Sequence, residues 1–168
     1  MTTSDALHRA KRPLTPVAGP YGHPFHPIAV TIPIGAWTAS IVFDIIGFFA
    51  DDPTPYALGA HVLIAIGVVG AVFAAILGFL DYLTIPAGTG AKRTAVIHMA
   101  LNLAVTALFV VNWFVRAGED YDEVSVVGFV LSLIALAALG VSGWLGGKLA
   151  YHYGVRVAAE STQREGFR

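Results

Sequence analysis

The chain has no cysteine among its 168 residues, and Asp, Glu, Lys and Arg together make up only 12% of it. The missing cysteine excludes disulfides, thiolate metal sites, an iron–sulfur cluster held by the chain's own thiols, and a thiol nucleophile. The low charge is about half of what a soluble domain carries. Net charge is -1, so electrostatics argues for neither nucleic acid nor a strongly charged partner. Nor is a cleavable leader expected. The basic residues Arg9, Lys11 and Arg12 lead into a full-length apolar run, not a short one with a small-residue cleavage site, so that run is expected to stay as an anchor.

What is abundant is apolar sequence. Hydrophobic residues are 56% of the chain and mean hydropathy is +0.70. They fall in four runs, Ile28–Phe49, Ala57–Leu80, Thr94–Val115 and Val124–Gly147. At ~1.5 Å rise per residue each run can cross a ~30 Å hydrocarbon layer as a helix. The expected fold is all-α, a four-helix transmembrane bundle at residues 22–156, with a flexible tail at 1–21 and a second tail at 157–168. Pro27 suits a first helical position, and Pro33 is placed to kink the first helix.

Basic residues set the orientation. The two tails and the second loop hold Arg9, Lys11, Arg12, Lys92, Arg93, Lys148, Arg156, Arg164 and Arg168, whereas the other two loops hold only Arg116 among six acids. This bias predicts both termini in the cytoplasm. Small residues at Gly70, Ala74 and Gly78, and again at Gly140, Gly143 and Gly147, predict close helix contacts within the bundle. No internal repeat aligns, beyond His26 and His98 each opening an odd-numbered span.

Polar groups inside a membrane are costly and mark the places to look for chemistry. Alternating topology puts His23, His26, Asp81, His98 and His152 at one face, with Asn102 and Thr106 continuing the face of His98. Imidazoles and one carboxylate are a donor set for a divalent metal, and two imidazoles also suit a haem iron. Asn102 is placed to orient a ligand or the ring of His98. Near the opposite face Asp44 and His61 lie at matching depth, and an ionised Asp44 there would cost ~2.5–3.5 kcal/mol, so it is expected to be neutral or paired with His61. Lys92 and Arg93, in a loop that lacks the Lys-Ser/Thr step and the preceding strand of a nucleotide-binding loop, are candidates for a lipid phosphate.

The run Gly22-His23-Pro24-Phe25-His26-Pro27, then Pro33-Ile34-Gly35 and Asp44, resembles the opening of a bacterial four-helix membrane family known as domain of unknown function 2231. Asp81, Gly90-Ala91-Lys92-Arg93, His98 and Asn102 resemble its second block, and Gly146-Gly147-Lys148 with Tyr151-His152-Tyr153-Gly154-Val155 its closing one. The resemblance implies no assigned reaction. Some relatives are joined to a Rieske-type iron–sulfur domain, which implies quinone or electron-transfer surroundings and a bacterial cytoplasmic membrane. The leading expectation is a redox-associated membrane protein, not a stand-alone enzyme, that holds haem b, a metal ion or a quinone through His23, His26, Asp81, His98 and His152, beside a membrane redox partner. The alternatives are a non-catalytic membrane subunit or assembly factor, and a small proton or metal transporter using Asp44 and His61.

Overall fold

The computed structural model describes residues 2–168, and among them the chain is helical with no strand. Helix α1 (Thr3–Lys11) precedes the bundle. The first span is α2 (His26–Ala29) followed directly by α3 (Thr31–Gly47); the second is α4 (Thr54–Tyr82), the third α5 (Gly90–Ala117) and the fourth α6 (Val126–Gly147). Four helices are long and apolar enough to cross a membrane. Large apolar side chains point outward along all of them, among them Val69, Leu103, Phe114 and Trp144. Polar Ser40, Asp44, Asn112, Ser132 and Ser142 are buried inside. That inside-out pattern is what a hydrocarbon solvent selects.

Local chemistry sets the helix ends. Thr89 caps α5, its hydroxyl accepting from the N–H of Lys92 at 3.1 Å, and Ser125 caps α6, accepting from Gly128 at 3.0 Å. In α1 the Thr2 hydroxyl and backbone both bond the Asp5 carboxylate, which holds that carboxyl below its ordinary range. The first span breaks at Val30, three residues before Pro33. Pro33 has no N–H to give the carbonyl of Ala29 and crowds it, which interrupts the helix where the kink is expected. The fourth span ends in a wider turn over Lys148–His152, where the N–H of Tyr153 reaches back to the carbonyl of Lys148. Gly154 (φ +69°) and Arg156 (φ +61°) are both left-handed and turn the chain back beneath the bundle. There the N–H of Arg156 bonds the carbonyl of Ala10. The hydroxyl of Tyr21 takes the N–H of Ala159 at 2.7 Å, which lowers its ionisation below the ordinary tyrosine range.

The first two spans form one antiparallel hairpin and the last two another. Three contacts join spans one and three: His26 with His98, Trp37 with Phe109, and Asp44 with Arg116. Each pair is separated by the same 72 residues. A constant offset means that spans one and three run parallel with these residues at matching levels, and the contacts each histidine makes with the span that follows it relate the two hairpins by a pseudo-dyad along the spans. The even-numbered spans agree: His26 meets the carbonyl of Ala74 and the Cα of Gly78, and His98 meets the carbonyl of Ser142 and the Cα of Gly146. The repeat that sequence comparison does not align is therefore present in the fold. It is kept as contact geometry, while the residues at most equivalent positions differ.

Midway along the axis the Trp37 and Phe109 rings stack at 4.1 Å and 9°. The indole N–H donates to the carbonyl of Ile64 at 3.2 Å, and Ile64, Val105 and Ala135 close the core around the stack. A Cβ on Gly67 would strike the indole, whereas one on Gly140 meets nothing within 4 Å. The two expected small-residue stripes thus differ. Gly70, Ala74 and Gly78 do receive span one, but Gly140 and Gly143 face open space, and the contact glycines of span four are Gly128 and Gly146. Gly67→Ala should lower stability by about 1–3 kcal/mol through overpacking, while Gly140→Ala leaves it unchanged or slightly raised. Thermal unfolding of the two variants in detergent checks this, and equal effects would contradict it.

Candidate functional site

The loop end of the axis is locked by charge. Both amino nitrogens of Arg116 donate to Asp44, Nη1 to Oδ1 at 2.8 Å and Nη2 to Oδ2 at 2.7 Å, and the side chains are 2% and 0% exposed. Nε of Arg116 donates to Oδ1 of Asn112 at 3.0 Å. The Asn112 amide in turn donates to the carbonyl of Gly128 at 2.9 Å and to the Ser132 hydroxyl at 2.7 Å. Spans one, three and four are thereby joined through one satisfied network. It needs glycine at 128, because a Cβ there would stand 2.6 Å from Nε of Arg116.

The expected partnership of Asp44 with His61 is not formed. Both Asp44 oxygens are taken by Arg116, and Nδ1 of His61 instead faces the Tyr121 hydroxyl at 3.3 Å, its ring packed on Trp113 and Tyr121. Arg116, expected in the loop after span three, belongs to the last turn of α5 and is buried. Its signal was legible in the spacing of Val105, Phe109, Asn112 and Arg116, which share one helical face at intervals of three and four. Asp44→Ala or Arg116→Met alone should lower stability by about 3–5 kcal/mol, since each strands a buried charge. Asp44→Leu combined with Arg116→Met should regain most of that loss; additive losses in thermal unfolding would contradict the assignment.

At the other end, where both tails lie, the structure brings two of the four predicted histidines together. The His26 and His98 rings stand 6.4 Å apart, centroid to centroid, with planes at 89°. Nδ1 of His26 is 2.9 Å from the carbonyl of Ala74, and Nδ1 of His98 is 2.8 Å from the carbonyl of Ser142. A carbonyl only accepts, so each Nδ1 carries the proton and each Nε2 keeps its lone pair. The Asn102 amide lies 3.1 Å from Nε2 of His98 and also donates to the carbonyl of His98 at 2.9 Å. Glycines on the even spans make room: a Cβ on Gly78 would stand 2.8 Å from Cε1 of His26, and one on Gly146 3.2 Å from Cε1 of His98.

The remaining predicted ligands go elsewhere. His23 is exposed, with Nδ1 3.3 Å from the carbonyl of Tyr21, and His152 is exposed against Tyr153. Asp81 pairs with Arg156, whose Nε lies 2.6 Å from Oδ1, at 3% exposure for the arginine side chain. Nη2 of Arg156 donates to the carbonyls of Ala18 and Gly19, both at 2.9 Å. Nothing in the local sequence marks Arg156 for burial; it reaches Asp81 only because the chain reverses at Gly154. Nζ of Lys92 donates to the carbonyl of Tyr82 at 3.0 Å and sits over that ring, so of the suggested phosphate pair only Arg93 is exposed. Among the described residues no group of three or more His, Asp or Glu is placed to hold a metal ion.

Comparison with known proteins yields one finding. No curated protein and no solved structure matches the chain. A family model described as "Predicted membrane protein (DUF2231)" matches residues 22–159. That range contains all four spans, the Asp44–Arg116 lock and the histidine pair, and the chain is a multi-pass membrane protein belonging to the DUF2231 family.

Proposed function

We propose that the protein is a redox-associated membrane protein whose imidazole pair, His26 and His98, holds one metal centre on the pseudo-dyad, with a haem iron as the leading candidate. The observation that carries this reading is the spacing of the pair. Metal–imidazole bonds are ~2.0–2.1 Å, so two rings this near each other would be able to hold one metal ion between them. The observed separation is 6.4 Å. The donor chemistry fits as well. Both lone pairs are on Nε2, and both Nδ1–H groups are tied to carbonyls, the usual outer support of a metal-bound histidine. A haem iron between two imidazoles supplies one-electron transfer. The chain's own part is to orient the rings, fix their tautomers and keep lipid-facing apolar side chains around them. The Asn102 amide occupies Nε2 of His98 in this arrangement and must turn away for that nitrogen to bind a metal.

That same contact favours a second reading, a non-catalytic membrane subunit in which the pair is simply part of the packing. One experiment separates them. Protein purified in detergent and titrated with haemin should develop a low-spin spectrum that sharpens on reduction with dithionite. His26→Ala and His98→Ala should each abolish it, and His23→Ala and His152→Ala should not. A colourless protein that binds neither haemin nor a divalent ion would overturn the redox reading and leave the packing one.

The Lys/Arg distribution supports placing both tails in the cytoplasm, and the resemblance in sequence supports a bacterial inner membrane. The absence of cysteine makes the first point simple to test. In whole cells, single cysteines at Ser4→Cys and Ser161→Cys should resist a membrane-impermeant maleimide, and Glu119→Cys should react. The opposite pattern would invert the orientation.

A further inference from the structure

A groove of about 200 Å³ opens between spans two and three, lined by Ala65, Val68 and Val69 of α4 and by Val110 and Trp113 of α5. Val69 is largely exposed, so the groove faces the hydrocarbon. One turn nearer the loop end, on the same face of α4, stands His61. It is 6% exposed and sits between two aromatic rings, Trp113 at 5.0 Å and Tyr121 at 5.6 Å, centroid to centroid. Trp113 therefore belongs both to the groove and to the surroundings of the imidazole. Nδ1 of His61 faces the Tyr121 hydroxyl at 3.3 Å, and its Nε2 makes no hydrogen bond among the described residues. Nor does the indole N–H of Trp113, whereas that of the buried Trp37 donates to Ile64.

Packing does not require this polar set. Ala74 and Gly78 of span two correspond to Ser142 and Gly146 of span four. That offset carries His61 onto Phe129, and the offset of spans one and three carries Trp113 onto Ile41. Phe129 packs edge-on against Phe48 at 5.2 Å. The dyad-related position is thus built from apolar side chains alone, while a buried imidazole costs desolvation that apolar neighbours do not return. Charge narrows what the groove takes. Around the two loops at this end Arg116 is the only Lys or Arg, and Asp44 holds it. Tyr121 shares a recess with Glu119, Asp120 and Glu123. A phosphate head group would meet acids here and no cation to pair with.

We propose that this groove binds an uncharged ring lipid, a flat oxygen-bearing ring on an apolar tail, with the ring against Trp113, its oxygen bonded by His61 and the tail along Val68 and Val69. With Tyr121 donating to Nδ1, the proton of the neutral imidazole is on Nε2, which then donates to a ring oxygen. The indole face suits a flat ring, whereas an acyl chain uses neither it nor the imidazole. The site lies at the opposite end of the bundle from His26 and His98 and stands apart from the metal reading.

The test uses the full-length chain in detergent with Trp144→Phe, which removes the exposed indole of span four and leaves Trp113 as the indole nearest the lipid. The probe is a benzoquinone with a decyl tail, which quenches indole fluorescence on contact, and the competitor is dioleoyl phosphatidylglycerol. The expected result is saturable quenching, one probe per chain, that excess phospholipid does not reverse. His61→Phe, which copies Phe129, should weaken binding about tenfold with the thermal midpoint held or raised. Ala65→Phe, which fills the groove, should abolish saturation. Quenching that only rises in proportion to the probe would overturn the proposal. So would displacement by an equal amount of phospholipid, which would make the groove a seat for acyl chains, or unchanged affinity in a folded His61→Phe. Where a groove variant loses its fold, the phospholipid competition without it still decides between a ring lipid and an acyl chain.

Discussion

A guanidinium in hydrocarbon must find an anion, because no water is there to replace one. The pairing of Arg116 with Asp44 answers that constraint, and much of the bundle is arranged around it. The fork of two parallel N–H···O bonds fixes the rotation of spans one and three about their own axes. The remaining Nε–H draws in Asn112, and Asn112 draws in span four at Gly128 and Ser132. With rotation fixed at one end, the register of the whole interface follows. Trp37 meets Phe109 two turns away, and His26 meets His98 three turns beyond that.

The three contacts on the axis divide the work. Complementary charges close one end, unlike aromatics fill the middle, and two identical residues face each other at the end where the tails lie. Identity matters at that last position. Two aspartates or two arginines on a dyad would repel, so the lock requires the halves to differ at positions 44 and 116. A shared ligand is served best by two equal donors, and the supporting features are equal too: a carbonyl on Nδ1 and a glycine under the ring, each from the neighbouring span. The two-fold character of the fold thus survives most fully at the proposed site.

The four spans were legible in hydropathy alone, and the interruption of the first in Pro33, because these features act locally. Hydropathy also assigns depth, and it put His23, His26, Asp81, His98 and His152 near one level. Depth says nothing of azimuth. His26 and His98 face the axis, His152 faces outward past a wide helical turn, and Asp81 meets a residue 75 positions later in the chain that arrives by a reversal at Gly154. Arg116 was hidden for another reason. A lone cation next to an acidic loop reads as a loop residue, and only its spacing from Asn112 and Phe109 says otherwise. The internal repeat escaped detection because comparing residues rewards similarity, and the axis pairs Asp with Arg and Trp with Phe.

The central claim, that the two hairpins meet about a dyad on which positions 44 and 116 are equivalent, is tested most directly by exchanging the charges. On a dyad each residue can take the other's place. Asp44→Arg/Arg116→Asp should give a monodisperse protein whose thermal midpoint recovers most of what either single reversal loses. An exchanged protein no more stable than Asp44→Arg or Arg116→Asp alone would contradict the account.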